Sequence, residues 1–134
     1  MALHLKQPRA RGFQRWLVSP RNQRGRLLLA SASDDHTIRL WDPLTLTPLG
    51  APFTGHTGWV RAVTFATTPE GRVLLVSGGG DRTIRVWDPI SGGPLLTLSR
   101  RSPVRALAAS GLALAIGDDD GLSVIELEPG SLDG

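Results

Sequence analysis

Arg26–Pro43 reads RLLLASASDDHTIRLWDP, and Arg72–Pro89 reads RVLLVSGGGDRTIRVWDP. Aligned without a gap, 11 of the 18 positions are identical, and Trp41 and Trp87 stand 46 residues apart. Self-similarity at such a period marks a repeat architecture, in which each unit buries its apolar faces against its neighbours. Each copy holds an apolar run, a turn rich in Ser, Gly and Asp, and a Thr-Ile-Arg-Leu/Val-Trp-Asp run. That last run alternates side-chain type at period two and opens with β-formers, so it predicts a strand. The unit is a repeated hairpin, and the chain is expected to be all-β.

Outward from the second copy, residues 55–98 predict a complete unit. Gly55-His56-Thr57-Gly58 is a loop, Trp59–Phe65 (WVRAVTF) alternates as an inner strand, and Thr67–Arg72 carries the Pro and Gly of a turn. Val73–Ser77 is almost continuously apolar, as befits a strand covered on both faces. Gly78-Gly79-Gly80-Asp81 is expected to turn the chain into Thr83–Asp88, and Pro94–Leu98 supplies an outer strand. Residues 13–54 form an earlier unit from Phe13–Val18, Leu27–Ala32, Thr37–Asp42 and an outer strand at Pro48–Phe53, where an edge tolerates Pro. The register of Phe13–Val18 stays open. Matching Trp16 to Trp59 puts Phe13 in the place of His56, whereas matching Ser19-Pro20 to a strand end puts Arg9 there. Residues 99–128 give a partial third unit from Val104–Ala109, Leu112–Ile116 and Leu122–Leu127. Arg100 stands where the His would be, Ile116 replaces the Ser, and no Trp follows. A basic arm (1–12) and a short tail (129–134) flank the units.

With Trp41-Asp42, Trp87-Asp88 and Gly55-His56 at their spacing, the sequence resembles WD40 repeats from roughly Phe13 to Leu127. The resemblance implies four-stranded antiparallel blades of a β-propeller, about two to three of them. A closed ring needs about four to eight blades, so the ring is expected to be incomplete. Three expectations follow, in this order: a C-terminal fragment of a larger propeller protein, self-association of two chains to close a ring, or an open piece docked on another protein. In the family a last blade is often completed from the N-terminus, which makes Ala2–Lys6 a candidate donor strand.

His56, Ser77, Asp81 and Trp87 look at first like a hydrolase triad with a spare aromatic, since nucleophilic catalysis needs Ser, His and Asp in hydrogen-bonding order. The resemblance implies instead that they form the family's structural hydrogen-bond network. An indole N–H, a hydroxyl and an imidazole each cost free energy if buried unpaired. Ser31, Asp35 and Trp41 repeat the pattern without the His, so that network is expected to be incomplete. The resemblance also implies a protein-binding rim on the loops before the inner strands and the turn before the structural Asp, which selects Trp59, Arg61, Arg105 and Asp34. Trp and Arg are the types most frequent at binding hot spots.

Other chemistry finds less support. Gly78-Gly79-Gly80 leads into a strand and not into the helix N-terminus of a phosphate loop. Asp118-Asp119-Asp120-Gly121 lacks the spaced ligands and closing Glu of a calcium loop and falls at a turn. No metal, no cofactor and no catalytic residue is expected. The chain has no Cys, so it tolerates a reducing cytosol, and no apolar run reaches the about 18 residues of a membrane span. Its charge is segregated. The first 26 residues carry seven cations and no acid, and the rest carry eight cations against 12 acids. A basic arm on an acidic body gives the alternative of nucleic-acid or anionic-surface binding. The leading expectation is a cytoplasmic, non-catalytic protein–protein interaction scaffold.

Overall fold

A computed structural model describes residues 15–132. Three antiparallel sheets follow one another along the chain. The first joins β1 (Arg15–Val18), β2 (Leu29–Ala32) and β3 (Ile38–Trp41); the second, β4 (Val60–Thr67), β5 (Val73–Gly79), β6 (Thr83–Trp87) and β7 (Pro94–Ser99). The third joins β8 (Val104–Ser110), β9 (Ala113–Asp118) and β10 (Gly121–Glu126). Each sheet is a meander of sequential neighbours, the arrangement that short turns permit. The sheets stack face to face as blades of an open array. Its repetition extends to the backbone: His36 and Arg82, 46 positions apart, both take positive φ (72° and 63°) in the hairpin turns.

Two apolar layers hold the blades together. Between blades 1 and 2, Ala30, Ala32, Ile38, Leu40 and Phe53 meet Val63, Phe65, Leu75 and Trp87. Between blades 2 and 3, Leu74, Val76, Ile84 and Val86 meet Val104, Leu114 and Ile116. Strand β5 is buried along its whole length because it contributes to both layers. Among the described residues, the outward faces of blades 1 and 3 have no such cover. Trp16 and Val18 are exposed on the first, and Leu122 and Val124 are 77% and 67% exposed on the last.

The structure corrects the sequence reading in several places. The expected outer strand Pro48–Phe53 is reduced to two isolated bridges, Trp41 to Pro48 and Ile38 to Phe53. Pro48 and Pro52 lack the N–H a ladder needs, so two proline gaps within five residues leave only the ends paired. Phe53 is nevertheless buried and packs edge-on against Trp87, with ring centroids 5.5 Å apart. The open register resolves by pairing: Trp16 faces Ser31 as Val63 faces Ser77. Trp16 therefore corresponds to Val63 and not to Trp59, which is the Ser19-Pro20 register. Trp16 instead leans on Trp41 with ring centroids 5.9 Å apart.

The glycine run also differs from expectation. Gly78 and Gly79 lie within β5, and the turn begins only at Gly80. A Cβ on Gly78 would lie 2.5 Å from Val104 Cγ1, and one on Gly79 would strike the Trp59 carbonyl oxygen. Gly78 and Gly79 are glycine because neighbouring chain comes too close for a side chain, whereas a Cβ on Gly80 would make only ordinary contacts at 3.7 Å or more. After β10, Pro129–Leu132 forms a 3₁₀ turn that buries Leu132 in the second apolar layer. The Arg72 guanidinium donates to the Leu132 carbonyl (3.3 Å) and to Asp88 (3.0 Å). The basic arm (1–12) and its donor-strand candidate Ala2–Lys6 lie outside the described residues.

Candidate functional site

The polar cluster inside blade 2 forms one continuous chain of hydrogen bonds. The Trp87 indole N–H donates to Ser77 Oγ (2.9 Å), and Ser77 Oγ lies 2.7 Å from His56 Nε2. His56 Nδ1 lies 2.9 Å from Asp81 Oδ2. Asp81 is acceptor-only, so Nδ1 carries the proton, Nε2 accepts, and the Ser77 hydroxyl donates to it. Asp81 further accepts from the Thr57 N–H (3.0 Å) and the Thr83 hydroxyl (2.8 Å). Gly55 makes room for this entry. Its φ of +142° disfavours a side chain, and a Cβ there would press on the Arg85 guanidinium and the Trp87 ring.

Ser77 has 0% of its surface exposed. Its oxygen accepts the indole N–H and its hydroxyl donates to His56, so the Ser-His-Asp order lies inside the packed blade with both partners of Ser77 already engaged. In blade 1, Trp41 donates to Ser31 Oγ (3.0 Å), but no His stands above it among the described residues. Asp35 accepts from Thr37 (2.6 Å) and pairs with Arg39 across 3.4 Å of half-exposed surface. In blade 3, Arg100 takes the place of the His and reaches Ser123 Oγ at 3.3 Å.

Burial is the largest influence on His56 and holds its pKa below the ordinary value of 6.5, against the opposing pull of Asp81. Burial opposes ionisation of Asp81 too, but the bonds from Thr83, Thr57 and His56 outweigh it and keep that carboxyl below its usual range. On acidification the unfolded His56 takes up its proton near pH 6.5, while the folded one does so only lower. The folded state is therefore penalised below about pH 6.5. Asp81 adds stability that is present above about pH 3.9 and lost as pH falls through its folded value. The urea midpoint is thus expected to fall between about pH 7.5 and about pH 5.5, and His56→Gln is expected to flatten that fall. An equal slope in the variant would assign it to other groups.

The four residues selected for a binding rim lie apart in sequence and come together in space. Asp34 from blade 1, Trp59 and Arg61 from blade 2, and Arg105 from blade 3 line one concavity of about 370 Å³, joined by Arg15. Arg15 is a residue the sequence reading missed. Two β-bulges build the site. In β4 the pairing shifts between Val60 and Ala62, leaving Arg61 without a partner position. In β8 it shifts between Val104 and Ala106, leaving Arg105 in the equivalent place. A bulge re-aims the extra side chain, here from the sheet towards the concavity.

Trp59 is 53% exposed, and the Arg61 guanidinium carbon stands 5.1 Å from its ring centroid. Arg105 makes a forked contact with Asp119, at 2.6 and 3.3 Å. In the same turn Asp120 Oδ2 accepts from the Ser102 hydroxyl, and Asp118 Oδ1 accepts from the Asp120 N–H. A larger hollow of about 540 Å³ lies against Leu27, Leu28, Leu44 and Leu49. It is lined by blade 1 alone and joins no residues from different blades.

Stacked meanders of three or four strands, a Trp-Ser-His-Asp core and a concavity lined from successive blades define an open segment of a β-propeller. The chain belongs to the WD40 family, whose "WD domain, G-beta repeat" model matches residues 16–42 and 47–88, just over half its length. The computationally designed Ika4 protein is similar in structure, with a TM-score of 0.64 and 28% identity over 75% of this chain and 61% of that one. The WD40 β-propeller domain of Doa1 matches at a TM-score of 0.64 and 23% identity, over 80% of this chain and 36% of that one. The chain thus spans less than two thirds of either. None of the curated proteins matches it. Because 687 solved chains match this chain's structure, its fold alone selects no partner. No helix among the described residues is long and apolar enough to cross a membrane.

Proposed function

We propose that the protein is a non-catalytic interaction scaffold, a segment of a larger WD40 propeller in the cytoplasm that binds a protein partner across its Trp59 concavity. One observation carries this reading: Asp34, Trp59, Arg61 and Arg105, drawn from three blades, line a single hollow. Propellers of this family serve as protein-interaction platforms, and the concavity supplies what such a platform needs. Trp59 offers a large apolar ring with half its surface exposed, and the arginines around it offer charged donors of fixed geometry.

The test is affinity capture with the whole protein, followed by titration of the captured partner. Trp59→Ala is expected to weaken the partner about 30-fold or more while leaving the melting temperature unchanged, because truncating a hot-spot Trp costs about 2 kcal/mol or more. A partner that binds Trp59→Ala as tightly as the wild type would move the binding surface elsewhere.

A further inference from the structure

Three of the described arginines, Arg61, Arg85 and Arg100, bury an Nε that has no hydrogen-bond acceptor, and of these Arg61 lines the concavity. The bulge in β4 takes it out of the ladder, its guanidinium lies over Trp59, and its Nε is buried with no hydrogen-bond acceptor. Among the described residues it makes no ion pair. A buried donor on a charged group left without an acceptor costs free energy that a bound anion recovers. Around it, the concavity holds three guanidinium groups, Arg15, Arg61 and Arg105, against the single carboxylate of Asp34. The Arg105 partner, Asp119, is half exposed. Such surface pairs contribute little, being screened by solvent, so an incoming carboxylate displaces Asp119 at small cost.

We propose that this concavity receives an acidic segment of a polypeptide. A Glu or Asp carboxylate seats on the Arg61 guanidinium and is shared with Arg105, and an apolar residue next to it packs on the exposed face of Trp59. The stack on Trp59 fixes the Arg61 plane before binding, so little rotamer freedom is lost when the anion arrives. The two bulged arginines sit at equivalent positions of neighbouring blades. They read a carboxylate from two sides, as a single strand-borne arginine does not. This inference rests on the scaffold reading above and adds the chemistry of the partner to it.

The experiment selects short random peptides displayed on phage against the whole protein, then measures synthetic copies of the enriched peptides by fluorescence anisotropy. Acidic residues beside an apolar one are expected to dominate the enriched pool. Affinity is expected to drop about 30-fold in Arg61→Gln, to be partly retained in Arg61→Lys, and to fall with added salt. Circular dichroism confirms that both variants keep the fold. An enriched pool with no excess of Asp or Glu, still lost in Trp59→Ala, would overturn the acidic-segment proposal and leave the scaffold reading standing. A pool that binds Trp59→Ala unchanged would overturn both. A duplex DNA oligonucleotide that binds with the same dependence on Arg61 and outcompetes the peptides would overturn the proposal in favour of nucleic acid.

Discussion

His56→Ala is expected to lower the unfolding free energy by about 3 kcal/mol, a large share of the 5–15 kcal/mol typical of a domain. The loss exceeds that of one hydrogen bond because His56 sits mid-chain in a network. Its removal leaves the Ser77 hydroxyl without an acceptor and the almost wholly buried Asp81 carboxylate without its imidazole donor. It also opens a space beside Trp87, whose ring centroid lies 6.4 Å from that of the imidazole. The corresponding change in blade 1, Asp35→Ala, removes a group that is half exposed and paired only at the surface. It is expected to cost less than about 1 kcal/mol. Urea titrations followed by tryptophan fluorescence compare the two. If they shift the midpoint equally, the network in blade 2 is no stronger than its incomplete copy.

Gly78→Val is expected to cost about 3 kcal/mol and to do so by prising two blades apart. The first added carbon already meets Val104 Cγ1 at 2.5 Å and Leu107 Cδ1 at 3.3 Å. Both belong to the blade 2–blade 3 layer, and neither is the tip of a long flexible side chain. Hydrogen exchange should show the amides of β8–β10 losing protection before those of β1–β3. The diagnostic comparison pairs Gly78→Ala with Val104→Ala. Because the second change removes the obstructing methyls, the double variant should be more stable than the two single losses predict. Strict additivity would place the harm of Gly78→Ala in the strand backbone and not in the contact between blades.

The fold was legible because its signal is written more than once. The Thr-Ile-Arg-Leu/Val-Trp-Asp run recurs 46 residues on, and each copy forms a central hairpin whose Ser31 or Ser77 receives the indole proton. The residues of the concavity were legible through the family resemblance, but its construction was not. Whether Arg61 lies in the ladder or outside it depends on how two strands count their residues against each other, and neither strand alone records that. Gly78 and Gly79 read as a turn for a similar reason. Glycine signals both an unusual backbone angle and a crowded neighbour, and the neighbour at Gly78 is Val104, 26 residues further on. The reading of Pro48–Phe53 failed on a matter of degree, since an edge accepts one proline but not two within five residues. Leu132 gave no signal at all. A lone Leu in a polar tail is buried here because the 3₁₀ turn at Pro129–Leu132 carries it into the blade 2–blade 3 layer.

The burial of β5 along its full length sets how the three sheets depend on one another. The described residues behave as a row of three, in which only the middle member has neighbours on both sides. Shedding the first or last sheet leaves a pair with one intact layer. Loss of the middle one leaves two sheets with nothing between them to hold on to. Blade 2, which carries the complete polar network and two of the four rim residues first selected, is therefore the keel of the array, and disorder is tolerated from its ends inward.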